Sequence, residues 1–345
     1  MLTVALDAEH TRQSAAGVAR YARSLARELT ALGEVRVIEL GAGEVVQRGT
    51  LAKKLLTARQ DFAWYPWLGR RAARQRGADV YHSPLPRGPL TSGTPPFVVT
   101  VHDLVPIRFP ETTTRWSRIY SAITFRRVLR AAERIIAPSQ DTADDLNSLA
   151  LVPADNIRVV PNGVDEMFFG QPLAKPVMAK PYVLFVGTIE PRKNLARLVS
   201  AMTLLRSRGM RERLLVVGAG GWGRDIPRSD IVEVIGRVSD DALHSLYVHA
   251  ACLALPSLHE GFGLPALEAM AAGTPVVAAN SGALPEVTGS AAILVDPLDT
   301  ISIADGISEA MASRDSLVER GRVRAREFSW RKTAALTTRV YRELI

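Results

Sequence analysis

Short apolar runs alternate along the chain with segments in which apolar residues recur every three or four positions. In the first half, the runs with strand character cover residues 2–7, 35–40, 80–82, 97–101, 135–138 and 157–160. In the second half, they cover residues 182–187, 214–218, 232–235, 252–255, 275–278 and 292–295. Helical periodicity covers residues 18–32, 117–132, 194–207, 301–312 and 317–327, and a last helix is expected over 330–345. This alternation predicts a doubly wound α/β protein with parallel sheets.

A proline-rich segment separates the two halves. Residues 171–181 hold three prolines and no strong apolar periodicity, a combination that is typical of a linker. At 345 residues the chain is long enough for two domains, each with its own core. We therefore predict a first domain over 1–170 and a second over 171–329. Ligands of doubly wound sheets bind at the carboxyl ends of the strands, so the two domains are expected to face a central cleft.

The most informative stretch, residues 259–277, sets two carboxylates around the start of a helix. Glu260 follows an apolar run and lies in a glycine-rich turn, and Glu268 lies in the short helix that Gly273 ends. Backbone N–H groups at a helix start have no partner within the helix and suit phosphate oxygens. A loop carboxylate can accept from sugar hydroxyls, and one in the helix can bind a ribose diol by paired hydrogen bonds. The pattern favours a site for a sugar nucleotide.

Six segments, in this order, resemble the motifs of retaining glycosyltransferases of family 4. They are GVARY at 17–21, VHDL at 101–104, VPNGVD at 160–165, VGTIEPRKN at 186–194, the Glu-x7-Glu signature at 260–268 and FSW at 328–330. The order and the spacing of the set carry the resemblance, since each piece alone is weak. The resemblance implies the two-domain GT-B fold, with a Rossmann-like acceptor domain and a Rossmann-like donor domain. It also implies that the final helix, 330–345, packs back on the first domain.

The same resemblance implies how the nucleotide sugar is held. Glu260 would contact hydroxyls of the donor sugar, and Glu268 would bind the ribose. Gly17 would let its loop approach the diphosphate closely, because glycine has no side chain. The remaining donor contacts are the N–H groups of Gly263 and Leu264, and backbone groups at Arg237 and Val238 beneath the base.

His102 follows a predicted strand and is expected near the reacting sugar. It is a candidate general base, and positioning of the donor sugar is an equal alternative. The family implies retention at the anomeric carbon. We predict same-face displacement, in which the leaving phosphate helps to deprotonate the acceptor hydroxyl and no side chain forms a covalent adduct.

Arg192 and Lys193 are the candidate cations for the leaving diphosphate. They follow a predicted strand and open a helix, where the arginine offers a planar fork and the lysine a point charge. Neither an Asp-x-Asp pair in a suitable loop nor a His/Cys cluster is present, so no metal and no other cofactor is expected. Family members often carry an arginine after the glycine that corresponds to Gly187, whereas this chain has Thr188. The share of each cation is left open.

Simpler interpretations exist for these charged residues. Arg192 and Lys193 could face solvent, Glu260 could be an ordinary loop carboxylate, and Glu268 could lie on a helix surface. Glu268 is nevertheless surrounded in sequence by leucine, alanine and methionine, where an unpaired carboxylate would be costly. The sequence therefore predicts a partner for Glu268.

The net charge of +8 is concentrated in two arginine-rich stretches. Residues 51–76 combine basic side chains with four aromatic ones, and a second basic stretch covers 115–134. Two interpretations are equally open: peripheral docking on an anionic membrane or attraction of an acidic acceptor, and a solvated basic face with buried aromatics. No nucleic-acid-binding module accompanies the charge, so nucleic acid is not an expected partner.

Other features indicate a soluble cytoplasmic enzyme, with a peripheral position on the inner face of the membrane as the extension of the basic stretches. No apolar run approaches the roughly 20 residues of a membrane span, and the chain begins with a strand rather than an export leader. Cys252, the only cysteine, lies in an apolar run and is expected to be a buried, inert thiol.

A rival interpretation comes from residues 218–223, which match the GxGxxG fingerprint of a dinucleotide-binding oxidoreductase. The fingerprint needs a helix to begin within the glycines, whereas Pro227 favours a loop there. A sugar-nucleotide 2-epimerase on the same fold is a second rival, and it would act on the donor alone. A phosphorylase is disfavoured by the length of the chain.

We therefore predict a glycosyltransferase that uses a UDP- or GDP-sugar and needs no metal. Its acceptor hydroxyl would belong to a polysaccharide, a glycolipid or an oligosaccharide natural product such as an antibiotic.

Overall fold

The computed structural model describes residues 1–9, 17–41, 59–109, 115–149, 151–172, 174, 181–218, 220 and 230–345. The chain forms two compact units, the first made of Met1–Gly163 with Trp330–Ile345 and the second of Val164–Ser329. The chain enters the second unit before the proline-rich segment, because a 3₁₀ turn at Glu166–Phe169 buries Phe168 against Tyr247 of that unit. Most of the expected linker at 171–181 lies outside the described residues.

A six-stranded parallel sheet forms the centre of the first unit. Its strands are β1 (Leu2–Asp7), β2 (Val35–Leu40), β3 (Val80–Ser83), β4 (Phe97–Thr100), β5 (Arg134–Ala137) and β6 (Ile157–Val159), in the order β2-β1-β3-β4-β5-β6. β3 and β4 are buried at every position, as expected for strands that are covered on both faces. The unit also contains α1 (Gly17–Leu32), a π-helical segment (Gln60–Leu68), α2 (Gly69–Gln75), α3 (Val105–Arg108), α4 (Arg115–Ala131) and α5 (Gln140–Ser148).

The second unit repeats this architecture around a second parallel sheet. Its strands are β7 (Tyr182–Val186), β8 (Arg213–Val217), β9 (Val232–Gly236), β10 (Cys252–Leu255), β11 (Val276–Ala279) and β12 (Ile293–Val295), in the order β12-β11-β10-β7-β8-β9. Its helices are α6 (Leu195–Ser207), α7 (Asp240–His249), α8 (Leu264–Ala272), α9 (Leu284–Thr288), α10 (Thr300–Ala312) and α11 (Arg314–Ala325). The doubly wound α/β class predicted from the sequence is therefore confirmed in both units.

The last helix, α12 (Trp330–Arg342), belongs to the first unit and packs along α1. The ring of Trp330 lies edge-on to that of Tyr21 of α1, with the centroids 6.1 Å apart. Tyr341 is fully buried, and its hydroxyl lies 2.7 Å from Nδ1 of His82 in β3. Beyond the helix, Glu343 pairs with Arg134 and Arg158, at the amino end of β5 and in β6.

The first glycine of the GxGxxG match has a packing role in the second unit. A Cβ on Gly218 would lie 2.0 Å from the carbonyl oxygen of Gly187, so only glycine fits where the loops after β7 and β8 meet. The N–H of Gly218 also donates to the carbonyl of Gly236 at the end of β9, at 2.9 Å. These contacts explain the glycine without a dinucleotide. Residues 219 and 221–229, including Pro227, lie outside the described residues.

Two further features bear on the sequence predictions. Cys252 is buried in β10, and burial raises the pKa of its thiol to about 12, so the thiol stays protonated at neutral pH as predicted for an inert cysteine. Within the described residues, no helix combines the length and the apolar character that crossing a bilayer needs.

Candidate functional site

The two candidate cations lie on a short turn between β7 and α6. Arg192 and Lys193 close the 3₁₀ turn Pro191–Lys193, and both are buried. Asn194 follows in the left-handed conformation with a φ of 58°, and its side-chain amide donates to the carbonyls of Pro256 and Pro297. The turn is thereby tied to the loops after β10 and β12. A solvent-facing Arg-Lys pair is excluded.

Glu260 lies between these two cations. Its Oε1 accepts from Nζ of Lys193 at 2.5 Å, and its Oε2 accepts from Arg192 at 3.0 Å. The carbonyl of Arg192 accepts from the N–H of Leu258 at 2.8 Å, so the turn and the Glu260 loop are also joined through their backbones. The structure thus brings Glu260 together with two adjacent residues that lie nearly seventy positions before it in the sequence.

The ion pairs keep Glu260 charged although its side chain is buried. Burial by itself would raise the pKa of this carboxyl, but Lys193 and Arg192 together lower it below the ordinary value. Glu260 is therefore a carboxylate at neutral pH and cannot serve there as a proton donor. Each carboxylate oxygen has two acceptor positions, so Glu260 keeps acceptor capacity beyond its two ion pairs.

The guanidinium of Arg192 is held by the protein itself. One terminal nitrogen donates to the carbonyl of His259 at 2.5 Å as well as to Glu260, and the other donates to Glu190 at 2.6 Å. These contacts show that Arg192 holds Glu260. The contact of its fork with phosphate oxygens stays a prediction. Sequence reasoning assigned no role to Glu190, although it lies inside the matched segment 186–194.

A neighbouring loop packs closely against the backbone of Glu260. The N–H of Ala283 donates to the carbonyl of Glu260 at 2.9 Å. Gly282 has a φ of 60°, and a Cβ there would lie 2.6 Å from the same carbonyl oxygen and 2.8 Å from the Glu260 nitrogen. The hydroxyl of Ser281 donates to the carbonyl of Leu258. Sequence reasoning missed this support, because a glycine after β11 is not distinctive by itself.

The start of α8 follows Glu260 closely in the sequence and presents backbone N–H donors. Gly263 has a φ of 95° at the cap position, no side chain caps the helix, and Pro265 carries no N–H. The N–H of Ala266 donates to the carbonyl of Gly263. The N–H groups of Gly263 and Leu264 have no protein acceptor in the described part of the chain. These two are the N–H groups that the sequence expectation named.

Glu268 has the hydrogen-bond partner that its apolar surroundings predict. The hydroxyl of Tyr247 in α7 donates to Oε2 of Glu268 at 2.8 Å, and both side chains are buried. Tyr247 packs edge-on against Phe168. The surface-helix interpretation of Glu268 is therefore wrong, whereas its contact with ribose stays a prediction.

Arg237 and Val238 follow β9 and precede α7. The side chain of Arg237 is exposed, and Val238 is half-buried against the core of the second unit. Gly236 before them has a φ of 75°, and its carbonyl accepts from Gly218. The loop position agrees with backbone recognition, whereas the contact with a base stays a prediction.

His102 and Gly17 belong to the first unit. Nε2 of His102 donates to the carbonyl of Pro84 at 2.9 Å, and Tyr21 lies edge-on to its ring at 4.7 Å. Burial lowers the pKa of His102, so the ring is neutral at neutral pH with Nδ1 as its unprotonated nitrogen. Gly17 is the exposed first residue of α1, and the loop before it lies outside the described residues.

A buried chain of hydrogen bonds runs behind His102. Tyr21 and Thr100 lie 2.9 Å apart, Thr100 and Nε2 of His82 lie 2.9 Å apart, and Tyr341 lies 2.7 Å from the other nitrogen of His82. Burial lowers the pKa of His82 to about 3, so this ring is neutral. These hydrogen bonds connect α1, β3, β4 and α12, and they hold Tyr21, whose ring packs against His102.

Comparisons with known proteins agree with this architecture. The model for Glycosyltransferase Family 4 matches residues 15–167, and the model for Glycosyl transferases group 1 matches residues 180–313. O-antigen chain mannosyltransferase B of Escherichia coli is 32% identical over 267 residues, which are 72% of this chain and 70% of the relative. A D-inositol 3-phosphate glycosyltransferase of Saccharomonospora viridis is 33% identical over 72% of this chain and 64% of its own length. The solved sucrose-phosphate synthase of Thermosynechococcus elongatus has a TM-score of 0.73 at 22% identity, covering 100% of this chain and 99% of its own.

The two Rossmann-like units and these matches define a transferase of the GT-B fold. The chain belongs to the family 4, or group 1, glycosyltransferases, and it is a glycosyltransferase.

Proposed function

We propose that the second unit binds a nucleoside diphosphate sugar, with uridine or guanosine as the nucleoside, and that the enzyme transfers the sugar to an acceptor hydroxyl with retention. The observation that carries this proposal is the buried cluster in which Arg192 and Lys193 hold Glu260 as a carboxylate. Such a cluster offers an anion to sugar hydroxyls and a cation to phosphate.

Lys193 is the cation we assign to the diphosphate. An ammonium has three N–H donors, and the contact with Glu260 uses one of them, so two can reach phosphate oxygens. The free N–H groups of Gly263 and Leu264 add donors at the positive end of α8. In this proposal Arg192 acts through Glu260, so we assign the contact with the diphosphate to Lys193 rather than to Arg192.

The proposed reaction takes place on one face of the donor sugar. The bond from the anomeric carbon to the phosphate oxygen breaks, and a bond to the acceptor oxygen forms on the same face. The acceptor proton passes to an oxygen of the leaving phosphate. Glu260 accepts from sugar hydroxyls and stabilises positive charge that develops on the ring. Removing one preorganised electrostatic contact of this kind typically slows an enzyme by about 10²–10³-fold.

The cations of the second unit supply the charge that a metal supplies in other transferases, so we propose that the reaction needs no divalent ion. A mannosyl group is the first sugar to test, because the Escherichia coli relative is a mannosyltransferase. A glycan chain or an inositol phosphate is the acceptor class that the names of the relatives support. His102 is proposed to position the donor sugar, with its neutral Nδ1 as the acceptor.

The test is a transfer assay with UDP- and GDP-hexoses and a set of mannosides and inositol phosphates, with and without a chelator. We expect a glycoside whose anomeric configuration equals that of the donor, in equal yield with chelator present. An inverted product would overturn retention, and a strict divalent requirement would overturn the role of the cations. Release of a 2-epimer from donor alone would establish the rival epimerase.

A further inference from the structure

The first unit carries an exposed aromatic and arginine-rich surface that the donor chemistry does not use. It comprises the segment 59–76, which includes the π-helical segment and α2, together with α4; we call it the basic aromatic face. Phe62 and Trp67 are 64% and 65% exposed, and Leu68 is 40% exposed. The interpretation that these aromatics are buried holds for Tyr65 and is wrong for Phe62 and Trp67.

α4 presents large apolar side chains on the side that faces away from the sheet. Trp116, Ile119 and Ile123 are 43%, 43% and 60% exposed, and their spacing of three and four residues places them on one face of the helix. The same face continues with exposed arginines at 126, 127 and 130. A helix whose solvent side carries tryptophan and isoleucine beside arginine is typical of helices that lie at a membrane surface.

The segment 59–76 and α4 contact each other through Phe62, Asp61 and Trp116. The rings of Phe62 and Trp116 lie edge-on with centroids 6.0 Å apart, and the indole N–H of Trp116 donates to Asp61 at 2.9 Å. Asp61 is buried and also pairs with Arg87. The fold therefore holds the exposed rings of Phe62 and Trp116 in defined positions.

The charge of the face has one sign. The segments 59–76 and 115–131 hold ten arginines, and their single acid is the buried Asp61. The exposed arginines at 59, 71, 74, 118, 126, 127 and 130 have no carboxylate partner within the part of the chain that the structure describes. Unpaired arginines around an apolar patch complement a surface that is negative outside and apolar beneath.

We propose that the basic aromatic face docks on a bilayer that contains anionic phospholipids. The arginines bind the headgroup phosphates, and Trp67, Trp116 and Ile123 enter the boundary between headgroups and acyl chains, where tryptophan is favoured. This inference goes beyond the donor chemistry, and it places the enzyme beside lipid-linked acceptors.

The test is flotation of the full-length protein with vesicles of phosphatidylcholine alone or mixed with phosphatidylglycerol. We expect binding to the mixed vesicles only, and weaker binding as salt is raised, because salt screens the headgroup charge. One variant carries Arg126→Glu with Arg130→Glu, and a second carries Trp67→Ser with Ile123→Ser. Each should lower the vesicle-bound to free ratio at least tenfold. The control, Arg211→Glu with Ile301→Ser, changes exposed residues of the second unit and should bind as the wild type does.

Binding of UDP and GDP in solution is measured on the same variants and should be unchanged, so a failed donor proposal is seen separately from a failed membrane proposal. Wild-type protein that floats with neither kind of vesicle would overturn the inference. So would variants that float as the wild type does. Self-association in sedimentation that the variants abolish, without any vesicle binding, would assign the face to a second copy of the chain.

Discussion

Glu260 keeps its charge because two cations face it from a single turn. Lys193 and Arg192 approach different oxygens of the carboxylate, and Glu190 and the carbonyl of His259 hold the arginine from behind. In a buried setting, removal of one charge of such a set leaves the others without a partner, which costs more than an exposed ion pair would. The cluster therefore behaves as one unit rather than as separate side chains.

Replacing Glu260→Gln should lower the turnover number at least 100-fold, since the amide carries no charge to stabilise the reacting sugar. Binding of UDP or GDP should be equal or tighter, because Lys193 loses its competing carboxylate. Steady-state kinetics and calorimetry measure the two effects separately. Glu233→Gln is the control, since Glu233 is paired with Arg213 at the surface of the same unit. Weaker nucleotide binding by the Glu260 variant would contradict the assignment.

Tyr247 is the residue that holds Glu268 in an apolar setting. Tyr247→Phe removes the donor and should lower the free energy of unfolding of the second unit by about 1–3 kcal/mol. Tyr65→Phe provides the matched control, because the buried Tyr65 hydroxyl has no hydrogen-bond partner among the described residues. Urea denaturation of both variants compares the two. Equal costs would show that the hydroxyl of Tyr247 contributes nothing to Glu268.

The residues of the site lie at the ends of strands and at the starts of helices. The strands are the elements that the sequence predicted best. The alternation of apolar runs located all twelve strands that the described residues form, because buried parallel strands read as continuous apolar runs. The glycine-rich turn located the start of α8. Individual ends differ by one or two residues, since a strand ends where its ladder ends rather than where apolar character stops. The π-helical segment and α2 were not predicted, because aromatic residues and Pro66 disrupt the helical period there.

The contacts around Glu260 were less accessible to sequence reasoning. The family motifs place Glu260 and Lys193 in one site but do not predict that they pair. Glu190 and Gly282 act through distances that only folding creates. Tyr247 shows an intermediate case: the apolar surroundings of Glu268 predict that a partner exists, and the fold decides which residue it is.

The loop that supports Glu260 depends on Gly282. Gly282→Ala places a Cβ against the backbone of Glu260 and should lower transfer activity at least tenfold, because small displacements of catalytic groups are costly. Gly33→Ala is the control for backbone strain alone, since Gly33 has a φ of 69° and nothing lies within 4 Å of the added Cβ. A transfer assay beside thermal unfolding distinguishes a displaced loop from general instability. Full activity of the Gly282 variant would contradict the importance of this packing.

At the scale of the whole molecule, the last helix returns to the first unit and is tied there by a buried histidine. The sequence expectation for α12 came from the family resemblance, since amphipathic periodicity alone does not reveal which unit a helix joins. The bond from Tyr341 to His82 connects the end of the chain to β3. Burial, rather than these two hydrogen bonds, keeps the ring of His82 neutral, since both hydroxyl partners can also accept.

The linked titration of His82 has a defined sign. The pKa of His82 is about 3 in the folded protein and lies near 6.5 in an unfolded chain, so the unfolded state binds more protons between these values. Stability is therefore lost as pH falls below 6.5. From pH 7 to pH 5 the wild type should lose about 2 kcal/mol more than His82→Gln, at roughly 1.4 kcal/mol per pH unit.

Urea unfolding at both pH values, followed by tryptophan fluorescence, measures this difference, since Trp64, Trp67, Trp116 and Trp330 belong to the first unit. His249→Gln is the control, because His249 belongs to the second unit, and the loss of stability of the first unit should equal that of the wild type. If the His82 variant retains the full acid sensitivity of the wild type, another group causes it.

The most direct test of the donor site is the affinity for nucleoside diphosphates against monophosphates. Calorimetry of UDP and UMP, and of GDP and GMP, gives the contribution of the second phosphate in the wild type and in Lys193→Ala. One charged hydrogen bond typically contributes about 1.5–3 kcal/mol, so the preference for the diphosphate should fall at least tenfold in the variant, with monophosphate binding little changed. An unchanged preference, with Lys193 absent, would contradict the central claim that this buried cluster holds the diphosphate of a sugar donor.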